Sequence, residues 1–161
     1  MKITYITGAT CTGKTTYAQN RCDNEIIISL DALSKAIRFT FDDFKLYTAD
    51  KVSIRPTINN DKFLNFVKTY MDYLSVDYPD RNIIIEGCHF TPNEFLSAFP
   101  NAQIVVLGIT DKSTALKQIN KKEWMRNLDN DLKNEYVNQI IEYSNELKNS
   151  NNKYYIEIID K

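Results

Sequence analysis

The chain has 161 residues, 43% hydrophobic and 25% charged, with a net charge of −1, which is one domain long enough to bury a core. The near-neutral balance gives no global pull towards nucleic acid or an anionic membrane, and no apolar run approaches the length of a membrane span. Cys11, Cys22 and Cys88 are odd in number and show no C-x-x-C spacing, so free thiols in a reducing compartment are expected, with the cytoplasm as the location.

The first predicted element is a strand over residues 2–7, alternating with β-branched and aromatic residues. It begins so early that a signal peptide has no room. Gly8-Ala9-Thr10-Cys11-Thr12-Gly13-Lys14-Thr15 follows and fits G-x-x-x-x-G-K-[ST] at every fixed position. In such a loop the backbone N–H groups wrap a di- or triphosphate, the lysine places a point charge between β- and γ-phosphates, and the hydroxyl ligates Mg²⁺. A helix opening at Thr15 and Thr16 would point its N-terminus at the same phosphates. Residues 8 to 16 are therefore the nucleotide-binding candidates, with Lys14 catalytic and Thr15 on the metal.

Near-continuous β-branched runs at 25–30, 81–86, 103–108 and 153–159 predict four more strands, apolar on both faces as in a parallel sheet covered by helices. Ligands on such sheets gather beyond the carboxyl ends of the strands. Asp31 directly follows the second strand. It reads either as a helix N-cap or as a carboxylate facing the γ-phosphate, there to act as general base towards an acceptor hydroxyl or to support Mg²⁺; the functional reading is favoured. Arg38, further along that helix, is a candidate for a substrate phosphate or carboxylate. Residues 39–77 form a substrate-side insertion, with a turn-rich piece at 51–60 and a helix at 61–75 whose Phe63, Phe66, Val67, Tyr70, Met71 and Leu74 recur at helical spacing as core.

The third strand ends in Glu86-Gly87, a Walker-B-like position at which Glu86 would hold a Mg²⁺-bound water or a substrate hydroxyl. Gly87 permits a sharp turn. Three of the four glycines thus frame one pocket. His89, the single histidine, is a candidate substrate contact; with no second His it is not read as a metal ligand. The stretch 111–149 is helical in pattern. Within it, Lys117, Lys121, Lys122 and Arg126 against Glu123 make a basic lid, placed at 117–130, since phosphoryl transfer needs cations beyond the loop lysine. Arg126 is the first lid candidate and Lys122 the second.

Taken together, these residues resemble the P-loop kinases of the nucleoside-monophosphate-kinase-like group over essentially the whole chain. The resemblance implies a three-layer α/β/α P-loop NTPase fold with a five-stranded parallel sheet and a helical lid, as a single domain over residues 1–161. Asp31 looks like the catalytic base of shikimate kinases, zeta-type toxin kinases and polynucleotide 5′-kinases. The run Ile85-Glu86-Gly87-Cys88-His89-Phe90-Thr91-Pro92 is similar to the strand ends of uridine-kinase-like enzymes. The chain departs from adenylate-kinase-type enzymes, which carry Asp-Gly-Phe/Tyr-Pro-Arg there. It also lacks the Asp-x-x-Arg spacing of polynucleotide kinases. Asn120-Lys121-Lys122-Glu123 nearly spells the guanine motif, but it ends in Glu and follows no strand, so a GTPase switch is rejected.

The expectation is an ATP- and Mg²⁺-dependent kinase that phosphorylates a hydroxyl of a small molecule such as a nucleoside, a sugar or a related metabolite. The alternatives are a nucleic-acid 5′-hydroxyl kinase and an ATPase or nucleotide-binding partner protein without an acceptor. Neither the acceptor nor the oligomeric state has a signature in the sequence.

Overall fold

The computed structural model describes residues 1–40 and 61–159, apart from the side chains of residues 38, 39 and 152. β1 (Ile3–Gly8), β2 (Ile26–Ser29), β3 (Ile83–Glu86), β4 (Gln103–Gly108) and β5 (Tyr155–Glu157) form one sheet in the order β2-β3-β1-β4-β5. Every neighbouring pair is parallel. The expected five-stranded α/β/α architecture is what the chain adopts.

The apolar runs serve both faces, because successive side chains of a strand point to opposite sides. On one face Ile6, Ile84, Val105 and Leu107 meet Ala18 and Tyr17 of α1 (Lys14–Asn20). On the other, Tyr5, Ile83, Ile85, Ile104 and Val106 join the larger core. That core is built from Phe63, Val67 and Met71 of α3 (Asp61–Asp77), Phe95 of α4 (Pro92–Ala98), Ile119 of α5 (Lys112–Asn120) and Val137 and Ile140 of α7 (Asn130–Ser150). Each such fully buried side chain contributes about 1.5–3 kcal/mol. These α3 residues are three of the six positions whose helical spacing predicted a core; Phe66 and Leu74 pack at its edge, and Tyr70 is exposed because its side chain falls on the outer flank of the helix.

Helix starts are set by short polar residues. Thr91 and Glu94 form a capping box at α4, with Pro92 as its first residue. Asp111 and Asp129 cap α5 and α7 by accepting from Thr114 N and Leu132 N.

Three sequence expectations shift. Asp31 sits in the first turn of α2 (Leu30–Thr40) instead of capping it, because the helix begins one residue earlier. The basic stretch is broken: α5 ends at Asn120, and a four-residue helix, α6 (Glu123–Arg126), follows Lys121 and Lys122. The fifth strand is three residues long, since 3₁₀ turn Asn152–Tyr154 takes up the start of the run and β4 pairs only through Val106, Leu107 and Gly108. Glu157 holds that short strand, accepting from Thr110 N at 2.6 Å, Thr110 Oγ1 at 2.9 Å and Tyr155 Oη at 3.0 Å. Burial pushes the Glu157 carboxyl up, and these hydrogen bonds outweigh it, so it lies below the ordinary glutamate range.

Register delivers the site. Glu86 lies beside Ile6 on one flank and Ser29 on the other, so β2 and β3 end level with one another while β1 runs two residues further, to Gly8. The loop after β1, Asp31 after β2 and Cys88 after β3 then emerge at one edge.

Candidate phosphate-binding and acceptor site

The Gly8–Thr15 loop takes its path from three unusual backbone positions. Gly8 has φ +142°, Cys11 φ +67° and Gly13 φ +77°. A Cβ at Gly8 would stand 2.0 Å from the Leu107 carbonyl oxygen, so this glycine lets β1 lie against β4. Gly13 is left-handed at the N-cap of α1, and no atom lies within 4 Å of where its Cβ would be. Cys11 is the exception. A non-glycine residue in the left-handed region costs about 1–2 kcal/mol. Its buried thiol meets Met125 Sδ of α6 at 3.4 Å, which ties the loop to the helix that follows the basic stretch.

Lys14 is buried, and its Nζ folds back across the loop to donate to Ala9 O at 2.8 Å and Gly8 O at 3.3 Å. Thr12 Oγ1 also donates to Ala9 O. The loop is therefore shaped by its own side chains.

A cavity of about 200 Å³ opens over it. The loop contributes Thr10, Cys11, Gly13, Lys14 and Thr15; the neighbouring strand ends contribute Asp31, Glu86 and Cys88; Lys35, Lys122 and Trp124 complete the lining. Three ammonium groups thus face two carboxylates around one space. A second cavity of about 270 Å³, lined by Met1, Ile3 and residues 98–102, lies at the opposite end of the strands and has no charged side chain, so it offers no comparable chemistry.

Of the residues singled out in the sequence, the structure gathers Thr10, Cys11, Gly13, Lys14, Thr15, Asp31, Glu86 and Lys122 at the cavity. Gly8, Ala9 and Thr12 are buried beneath it, and Thr16 is exposed on α1 outside the lining. Arg126 is also outside: it is exposed, and its Nε donates to the Asn120 carbonyl at 3.3 Å. The Arg38 side chain and residues 41–60 of the substrate-side insertion lie outside the described residues.

His89 is buried behind the cavity wall and does not line it. Phe63 packs edge-on against its ring at 5.4 Å. Its Nδ1 faces Asp31 Oδ1 at 3.6 Å, and its Nε2 meets Ser34 Oγ at 3.1 Å. The 87–90 turn that carries it is pinned by Tyr5, whose hydroxyl donates to Phe90 O at 2.9 Å. Gly87 lets this turn close: a Cβ there would meet Leu30 Cβ at 2.8 Å and His89 Nδ1 at 3.2 Å. Burial disfavours the imidazolium and lowers the His89 pKa; Asp31 opposes this and Lys14 adds to it. Burial likewise raises the Cys88 and Cys11 thiols, against the pull of nearby lysines. Both stay protonated near neutral pH.

Lys35, Cys88 and Trp124 escaped the sequence reading. Lys35 had a signal, since it lies four residues after Asp31 and so shares its helix face. Cys88 and Trp124 had none, because their place depends on how a turn and a short helix fold back over the loop.

No family model and no curated protein matches the chain. Among solved structures it is similar to shikimate kinase from Acinetobacter baumannii in complex with shikimate, at 13% identity and a TM-score of 0.59, over 100% of this chain and 86% of that one. A Thermus thermophilus protein matches at 15% identity and a TM-score of 0.60, over 99% and 90%. A gluconokinase from Sinorhizobium meliloti matches at 10% identity and a TM-score of 0.53, over 98% and 81%. At these identities the likeness establishes the fold: the chain has the architecture of the small P-loop kinases.

Proposed function

We propose that this chain is an ATP-dependent kinase that transfers the γ-phosphoryl group to a hydroxyl of a small molecule. The observation that carries the reading is the convergence of Lys14 and Thr15 with Asp31 and Glu86 on one cavity, from three separate segments of the chain. The kinase neighbours support it at the level of the fold.

The Thr15 hydroxyl and the Glu86 carboxylate are hard oxygen donors at the same cavity, which fits Mg²⁺. These two residues would hold it, Glu86 directly or through water, and bound there it would neutralise phosphate charge. Lys14 exchanges its two loop carbonyls for phosphate oxygens, while the loop N–H groups cradle the diphosphate. Asp31 takes the proton of the acceptor hydroxyl. The new bond joins that oxygen to the γ-phosphorus, the bond to the bridging oxygen breaks, and ADP leaves with the electron pair. Lys122 supplies the second cation from the cavity rim. Arg126 would reach the γ-phosphate only after leaving the Asn120 carbonyl.

The test is Asp31→Asn. Transfer is expected to fall by 10²-fold or more, the scale of general-base loss, with ATP binding unchanged. Transfer at the wild-type rate would remove Asp31 from the chemistry. The acceptor is found by offering ATP with nucleosides, sugars, small hydroxy acids and 5′-hydroxyl oligonucleotides. ATP hydrolysis with no acceptor labelled would favour an ATPase instead.

A further inference from the structure

Asp31, Cys88 and His89 bring one carboxylate oxygen, one sulfur and one ring nitrogen within 4.8 Å of one another. A hydrogen-bond chain through Ser34 lies behind them. Ser34 has one hydroxyl proton and gives it to the Asp31 carbonyl at 3.1 Å. Its oxygen then accepts the proton of His89 Nε2, 3.1 Å away, in the tautomer that carries it there. Nδ1 stands 3.6 Å from Asp31 Oδ1. In that tautomer a cation seated between the two is attracted to both.

The spacing suits a metal ion. Bond lengths of about 2.0–2.3 Å to oxygen, nitrogen and sulfur put tetrahedral donors roughly 3.3–3.7 Å apart. The Asp31–His89 separation is already in that range, and the thiol needs to move by about 1 Å. The Nε2–Ser34 hydrogen bond is the kind of contact behind the ligand that orients a ligating imidazole. Gly87 is the residue that allows the ring this close to α2. Access exists: Asp31 is 56% exposed at its side chain, and both it and Cys88 line the cavity.

We propose that Asp31, Cys88 and His89 form a three-ligand site for a borderline-soft divalent cation of the Zn²⁺ class, with its fourth position open to the cavity. Imidazole and thiolate select such an ion over Mg²⁺, so the site is separate from the hard donors Thr15 and Glu86. On binding, the Cys88 S–H bond breaks, the sulfur–metal bond forms and the proton passes to solvent. The functional consequence rests on the kinase reading above: occupancy takes the Asp31 carboxylate away from the acceptor and switches transfer off.

Binding is read without activity, by titrating Zn²⁺ alone into the full chain against a chromophoric chelator. One equivalent is expected to bind. Cys88→Ser and His89→Gln should each weaken it more than about tenfold, beyond what loss of an outer-shell partner alone commonly does, while Cys22→Ser leaves it unchanged. Co²⁺ should show a thiolate charge-transfer band that Cys88→Ser removes. Because the chain has one histidine, ring ¹⁵N spectra of the wild type settle the ligand without any variant: the free protein should show the Nε2–H tautomer, and Zn²⁺ should shift Nδ1. Unshifted ring nitrogens, or equal affinity in Cys88→Ser and His89→Gln, overturn the site. If Zn²⁺ binds but transfer continues at full rate, the switch is overturned while the site stands. If Asp31→Asn keeps full transfer, the kinase chemistry falls and the metal site is untouched.

Discussion

The first glycine of the phosphate loop is a test of whether that loop is constrained by its ligand or by the sheet. Gly8→Ala would place a methyl carbon 2.0 Å from the Leu107 carbonyl oxygen and 2.9 Å from its carbon, at φ +142°. Neither strand can retreat, because β1 and β4 pair over five consecutive residues and their side chains are buried on both faces. Backbone strain of about 1–3 kcal/mol adds to overpacking of about 1–3 kcal/mol, giving roughly 2–6 kcal/mol. Gly13→Ala is the internal comparison. Its φ is +77° but nothing lies within 4 Å, so only the left-handed penalty of about 1–2 kcal/mol applies. For a domain of this size each kcal/mol lowers Tm by about 2–4 °C. The two variants and the wild type are compared by thermal unfolding followed by circular dichroism at one scan rate. Gly8→Ala is expected to lose at least twice as many degrees as Gly13→Ala. Equal losses would refute the argument that the sheet, and not the phosphate, demands Gly8.

Three other outcomes follow from the geometry. Ser144 is fully buried and its Oγ accepts from Ile109 N at 3.0 Å, so Ser144→Ala leaves that N–H unpaired and should cost about 1–3 kcal/mol in urea unfolding. Glu157 titrates below its ordinary value in the folded chain. Its contribution to stability is therefore complete above the unfolded pKa and is lost as pH falls through the lower folded value. Glu157→Gln should flatten the acid limb of a Tm-against-pH curve, and an unchanged limb would show that other carboxylates govern it. Lys122→Ala should depress phosphoryl transfer more than Arg126→Ala, because Lys122 lines the cavity and Arg126 is turned to Asn120. The reverse ranking in steady-state assays would mean that α6 rearranges around the nucleotide.

Much of the molecule was legible because its signals are local. A run such as Ile83-Ile84-Ile85 marks a strand covered on both faces whatever its neighbours are. Phe63, Val67 and Met71 mark a helix by spacing alone. The loop from Gly8 to Thr15 was equally plain, since its glycines and lysine keep fixed separations along the chain. Strand ends are local too, so Asp31 and Glu86 stand out in the sequence without reference to their distance from the loop.

What the tertiary structure alone decided involves residues far apart in sequence. The order β2-β3-β1-β4-β5 puts the loop strand between β3 and β4, and only that order brings Glu86 level with Ile6 and Ser29. Cys11 and Met125 touch across 114 positions of sequence, and the break after Asn120 turns Lys122 and Trp124 to the cavity while Arg126 faces away. His89 was expected at a substrate; the 87–90 turn, pinned by Tyr5 and admitted by Gly87, puts it behind Asp31 instead. Periodicity and backbone conformation are encoded residue by residue, so a single sequence displays them. Which side chains meet depends on several elements packing at once, and no short stretch of the chain carries that information.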